Sequence, residues 1–207
     1  MTRDYSLDEI GKRLSGEGLT PQEQILAADD WRRVEWVRGA VAGAGNTDII
    51  DIGASDGTLA EWWARLGHRV FTIESHDAHR ERLSTLPVFS FHGDAWTGVT
   101  RFTRLRKATV FLGEILEHLD SSYSQQLVQA VAQIIEPDTI VITVPNANCE
   151  SYLASGRARR DWPDHQQQFQ KHGLWTLFEG LDYSIRVYPI VGTLDDSIWL
   201  GAVARRT

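Results

Sequence analysis

At 207 residues, 42% apolar and 24% charged with a net charge of −7, the chain has the make-up of one ordinary domain large enough for a substantial core. That charge disfavours broad binding of duplex DNA but leaves room for a local basic groove. The single cysteine, Cys149, excludes an internal disulfide, and neither the Met1–Ser6 start nor any later run has the apolar length of a signal region or a bilayer span. The expected setting is cytoplasmic, with no membrane partner, and the expected organisation is one domain over residues 1–207.

The first 45 or so residues read as helices that precede a sheet. Ser6-Leu7-Asp8-Glu9 and Thr20-Pro21-Gln22-Glu23 have the form of capping boxes, the second with proline at the first helical position. The longer helix carries Ile25, Trp31, Val34, Val37 and Val41 at helical spacing. Trp31 and Trp36 suit either a core or the wall of a pocket. Ile49-Ile50-Asp51-Ile52 is a short apolar run that enters the turn Gly53-Ala54-Ser55-Asp56-Gly57 and then a helical pattern over 57–66.

Val70-Phe71-Thr72-Ile73 ends on Glu74 and leads to a helix over 76–85. Val88-Phe89-Ser90-Phe91 ends in His92-Gly93-Asp94-Ala95-Trp96, and Ala108 to Leu112 ends at Gly113-Glu114. A helix over 121–135 precedes Thr139 to Val144, which Pro145-Asn146 stops. Leu174 to Gly180 reads as a helix closed by glycine. Tyr183–Tyr188 and Ser197–Ala204 read as an antiparallel strand pair. Continuous β-branched strands alternating with amphipathic helices imply an α/β fold, its parallel sheet covered on both faces. Asp51, Glu74, Asp94 and Glu114 then fall at or near the carboxyl ends of four successive strands, the edge where open α/β sheets bind ligands.

The glycine turn admits three chemistries. A dinucleotide fingerprint wants G-x-G-x-x-G, but Ser55 stands at the middle position and the third glycine is missing. A hydrolase elbow matches G-x-S-x-G literally, yet it normally follows several earlier strands. The third is a corner for S-adenosylmethionine (SAM), with Asp51 two residues before the first glycine and Glu74 placed to accept hydrogen bonds from a ribose diol. On these motifs, residues 45–205 resemble the class I SAM-dependent methyltransferases. That resemblance implies a Rossmann-like, mostly parallel seven-stranded sheet with a C-terminal antiparallel hairpin, and helices before residue 45 over the cofactor edge. It implies that Asp51, Gly53, Ala54, Ser55 and Gly57 hold the methionine end. Glu74 would take the ribose, Ser75 or His76 would lie beside the adenine, and Asp94 with Ala95 would read the adenine amino edge. Trp96 covers the ring or belongs to a core, and Asp94 is equally placed to cap the helix that follows it.

Gly113-Glu114-Ile115-Leu116-Glu117-His118 carries the reacting chemistry. A helical turn there sets Glu114, Glu117 and His118 on one face, and His165 follows later in Asp164-His165. Two carboxylates and two imidazoles suit a divalent cation, Mg²⁺ or Mn²⁺, with positions open for substrate hydroxyls. With Pro145-Asn146 and Phe169, this pattern resembles the metal-dependent small-RNA 3′-terminal 2′-O-methyltransferases. A metal-free reading stands beside it, with Glu117, His118 or His165 as general base and Glu114 near the cofactor. Arg157, Arg159 and Arg160 suit a phosphate or carboxylate of the acceptor. Arg101, Arg104, Arg106 and Lys107 read as a solvated face. The expectation is methyl transfer to an oxygen or nitrogen of a small-molecule acceptor, anionic if the arginines hold it, with an RNA 3′ end as the alternative acceptor. A SAM-binding sensor or partner subunit without catalysis is the further alternative.

Overall fold

The computed structural model describes residues 21–103, 105, 107–149, 165–193 and 197–207, and side chains from residue 31 onward. The first capping box, Thr20, Arg104, Arg106, Arg157, Arg159, Arg160 and Asp164 lie outside that description.

Helix α1 (Pro21–Ala44) buries Val37 and Val41, as its apolar spacing requires. Strand β1 (Asp48–Ile52) is buried along its whole length and leads through the glycine turn into α2 (Thr58–Arg65). Strand β2 (Arg69–Glu74), helix α3 (Asp77–Thr85), strand β3 (Phe89–His92) and the short α4 (Ala95–Val99) follow. Then come β4 (Ala108–Gly113), a 3-10 turn over Leu116–His118, α5 (Ser121–Ala130) and β5 (Thr139–Pro145). Helix α6 (Lys171–Thr176) and strands β6 (Tyr183–Pro189) and β7 (Trp199–Arg206) complete the order.

The seven strands lie in the order β3-β2-β1-β4-β5-β7-β6. The first five are mutually parallel, and β7 runs antiparallel to both β5 and β6. This is the sheet that the resemblance implies. One core packs Ile50, Ile52, Leu112 and Ile142 against α5 and α6, and the other packs Ile49, Trp63, Phe111 and Val141 against α1 and α2. Neighbouring residues of β1 and β4 thus serve opposite cores, the reason these strands read as continuous apolar runs. No helix among the described residues is long and apolar enough to cross a membrane.

Several boundaries differ from the sequence expectation. The 121–135 helix is α-helical to Ala130 and widens into a π turn over Val131–Ile135, burying Val131, Ala132 and Ile135 before Glu136 turns left-handed ahead of Pro137. Strand β3 starts one residue later than expected, because Phe71 pairs with Phe89 and Glu74 with His92. Ser197 lies outside β7, since its hydroxyl accepts from the amides of Ile190 and Val191 and closes the hairpin. Helix α6 begins earlier and ends at Thr176, although Gly180, with φ +77°, still marks where the chain turns toward β6.

Candidate active site at the carboxyl edge of the sheet

The glycine turn is shaped from both sides. Gly57 sits at φ +78° at the start of α2, and a Cβ there would meet the side-chain carbons of Leu83 and Leu86 at 2.6 Å. Ser55 holds a left-handed φ of 51°, which its backbone bonding supports. Its amide donates to Glu74 Oε2 at 2.7 Å, and the amide of His76 donates to Glu74 Oε1 at 2.7 Å. Glu74 is therefore the clamp between the turn and the end of β2. Each of its oxygens keeps a second acceptor position, so a ribose diol is not denied. Arg82 adds a second tie, donating from Nε to the Asp56 carbonyl at 2.9 Å.

Asp51 lies beneath this turn, 3% exposed. Burial, and then the Glu74 carboxylate, push its carboxyl up to about 8. A buried acid held against ionisation is suited to an ammonium ligand, whose charge restores the carboxylate. Ala54 is buried, whereas Ser55 and Ser75 are exposed at the rim. At the end of β3, Asp94 caps α4: its Oδ1 accepts from the Thr97 amide at 2.9 Å and its Oδ2 from the Thr97 hydroxyl at 2.7 Å. These bonds hold Asp94 below the usual carboxylate range. The capping role is thus realised. Trp96 is 42% exposed, so it is no core residue.

The second half of the edge is built from three loops. Glu114 does not continue a helical turn, contrary to the sequence expectation. It adopts φ +53°, its amide donates to Thr143 O at 3.0 Å, and the 3-10 turn starts only at Leu116. Three side chains converge: one ligand atom each of Glu117, His118 and His165 lies within 4.8 Å of the others. The His118 and His165 rings meet edge to face at 4.8 Å. Glu114 stands beside this trio rather than in it, close enough that, after burial, its charge is the next cause raising Glu117 to about 9.

His165 reaches the trio through backbone pairing. The amides of Gln166 and Gln167 donate to Glu117 O at 2.7 and 3.2 Å, and Gln167 Nε2 donates to Leu116 O at 2.8 Å and Leu119 O at 3.0 Å. Asn146 fixes the neighbouring loop, donating from Nδ2 to Ser197 O at 2.8 Å. Sequence reading missed Arg33. Its guanidinium lies 5.3 Å over the Trp199 ring, and its charge pulls against the rise at Glu117. Nothing in the helical pattern of α1 marks which arginine faces the sheet edge. Gln167 was missed too, although the Gln166-Gln167-Gln168 run is plain in the sequence.

The donor set fits a divalent cation. With bonds of about 2.0–2.3 Å, neighbouring ligands sit about 3 Å apart and only one pair can stand opposite at about 4.6 Å, so the three groups would draw together on a bound cation. The glycine turn, Glu74 and buried Asp51 likewise fit SAM.

By sequence, no family model and no curated protein matches the chain. The structure matches the methyltransferase domain of bacterial CtHen1-C, with a TM-score of 0.69 and 20% identity over 86% of this chain and 98% of that one. It matches the small RNA methyltransferase HEN1 with a TM-score of 0.74 and 14% identity, over 86% of this chain but 25% of that one. It also matches magnesium protoporphyrin IX methyltransferase (ChlM) from Synechocystis PCC 6803, with a TM-score of 0.67 and 13% identity over 98% and 95% of the two chains. The chain therefore has the fold of the class I SAM-dependent methyltransferases.

Proposed function

We propose that the chain transfers the methyl group of SAM to a ribose hydroxyl at an RNA 3′ end, with a divalent cation held by Glu117, His118 and His165. The observation that carries this is the convergence of those three ligand atoms within 4.8 Å, with His165 brought in from a loop about fifty residues later. The sequence favours a small-molecule acceptor; this convergence reverses the order. Likeness in fold to the small RNA methyltransferase HEN1 and to CtHen1-C supports the same reading.

In this scheme the glycine turn and Glu74 fix the cofactor, and Asp51 neutralises its ammonium. The acceptor oxygen bonds to the methyl carbon as the carbon–sulfur bond breaks, that bond's electron pair neutralising the sulfonium, and the hydroxyl proton leaves to water. A bound cation would supply charge that lowers the pKa of the acceptor hydroxyl. The chain's own work is alignment, with buried Leu116 helping to exclude water.

A metal-free small-molecule acceptor is the second reading, favoured by the match to ChlM across 98% of this chain. One experiment separates them. Purified protein is assayed with radiolabelled SAM on a single-stranded RNA bearing a free 2′,3′-diol, with EDTA and after addition of Mn²⁺, Mg²⁺ or Co²⁺. The RNA reading expects loss in EDTA, recovery with metal, and no transfer to an RNA whose terminal 2′-OH is replaced by hydrogen. Transfer that persists in EDTA, or none to any RNA, overturns it.

A further inference from the structure

A groove of about 550 Å³ lies between α1 and the outer strands β6 and β7, away from the cofactor turn. We propose that it carries the single-stranded RNA that leads to the 3′-terminal nucleotide. The proposal rests on the RNA reading above.

Strand alternation builds one wall. Tyr183, Ile185 and Val187 of β6 pack against the core, which puts Ser184, Arg186 and Tyr188 on the opposite face, all exposed. This exposed face of β6 is cationic rather than apolar. Arg186 has no carboxylate partner among the described residues, and Arg205 donates to the Gly43 carbonyl at 3.4 Å rather than to an acid. Of the other charged side chains that line the groove, Glu35 pairs with Arg38 and Arg206 with Glu136. Two arginines with no side-chain ion pair among the described residues therefore line the groove of a chain whose net charge is −7. Gly39 and Gly43 line the α1 side, and a Cβ at either would meet nothing within 4 Å.

A pair of rings follows these cations along the groove. Tyr188 is 36% exposed, and its ring centroid lies 6.0 Å from that of Trp36, with the planes tilted by 51°. An exposed ring beside guanidinium groups is what an unpaired nucleic acid strand uses, a base stacking on it and the phosphates meeting the arginines. The line also ends in the right place. Residues 199, 201, 203 and 205 share one face of β7: Arg33 lies over Trp199, and a Cβ at Gly201 would meet the Trp36 ring. The path runs from Arg205 at the far edge, by Arg186 and Tyr188, toward Trp199, which lies under Arg33 and pairs with Pro145 at the carboxyl end of β5. Along β7 that is about 20 Å. An anionic, base-bearing strand complements this surface better than a second copy of the same acidic chain.

The test is fluorescence anisotropy of a 5′-fluorescein-labelled single-stranded RNA across a salt series, on wild type, Arg186→Gln/Arg205→Gln and Tyr188→Ala. Each position is exposed, and SAM calorimetry verifies folding. The arginine variant is expected to lower the salt slope by about 1.4, some 0.7 per lost phosphate contact. Tyr188→Ala is expected to weaken binding roughly tenfold at unchanged slope. KM for a long RNA acceptor should rise, while transfer to a trinucleotide stays unchanged. Transfer to RNA with unaltered affinity and slope in the variants overturns the groove and leaves the acceptor reading intact. Wild-type protein that transfers to no RNA overturns the acceptor reading, and this proposal with it. Sedimentation showing a dimer that the variants dissolve, with RNA affinity unchanged, assigns the groove to a second copy and overturns its role in RNA binding.

Discussion

The two halves of the sheet edge are built on different length scales. At the β1–β3 half, the glycine turn is clamped by Glu74 and Arg82, which lie about twenty to thirty residues further on, through bonds of 2.7–2.9 Å. At the β4–β7 half, Glu117 meets a histidine 48 residues further on, beyond β5, and feels an arginine of α1 that lies 84 residues earlier. The corner proposed for the cofactor can thus be set by one strand–turn–helix unit and its neighbour, whereas the proposed acceptor site exists only once distant loops have docked. The halves should therefore fail separately.

The largest effect is expected where the long-range assembly is cut. Glu117→Gln and His165→Ala each remove one of the three converging groups. Transfer should fall on the order of 10²-fold or more, the scale of a misplaced reacting group, with SAM affinity unchanged. Paired single-turnover and calorimetric measurements check this. Loss of SAM binding in either variant would show that the halves are not independent.

Next comes the clamp. Glu74→Ala removes an acceptor shared by two backbone amides and leaves the Ser55 turn without its partner. Loss of about 1–3 kcal/mol in SAM binding is expected, the scale of hydrogen bonds to a charged group. Added Mn²⁺ is expected to raise the thermal midpoints of this variant and of wild type alike. Unchanged SAM affinity would reject the cofactor assignment of this corner.

The same difference in scale explains what the sequence disclosed. The glycine turn, Glu74 and all seven strands were legible because each is written in a few consecutive residues whose backbone and burial demands are local. The order of the sheet, with β7 inserted beside β5, followed from the resemblance rather than from periodicity. At the acceptor edge the helical spacing of Glu114, Glu117 and His118 misled: Glu114 bonds to β5 through its amide and turns left-handed, a tertiary demand with no local signal. Arg33 was hidden for the same reason. Its position on α1 is one of several arginines, and the packing of α1 on β7 selects it.

Asp51 gives a smaller, pH-dependent effect confined to the cofactor half. Its carboxyl is raised from the ordinary 3.8 to about 8, so the folded chain keeps a proton that the unfolded chain has released. The sign follows from linkage: this contribution to stability is fully present below the unfolded value and is lost as pH rises to about 8. Asp51→Asn removes that dependence, so its thermal midpoint should gain on wild type across this range. An ammonium ligand favours the ionised carboxylate, so wild-type affinity for SAM should climb toward pH about 8 and then level. Parallel midpoints for the two proteins would show that Asp51 does not titrate as its burial demands.

The smallest effect separates two roles that Asp94 was expected to divide. Its carboxylate caps α4 through the Thr97 amide and hydroxyl. Asp94→Ala should cost about 1 kcal/mol of stability, the usual loss for an N-cap, and Asp94→Asn should cost almost nothing, because asparagine caps equally well. Capping alone then predicts that Asp94→Asn binds SAM as wild type does. If the carboxylate also accepts from the adenine amino group, that variant keeps its thermal midpoint yet binds SAM more weakly, since its amide can present a donor where an acceptor was needed. Calorimetry on the folded Asp94→Asn protein decides between them. Equal affinity would leave Asp94 as a structural cap, and reading of the adenine edge would pass to the Ala95 backbone and to exposed Trp96.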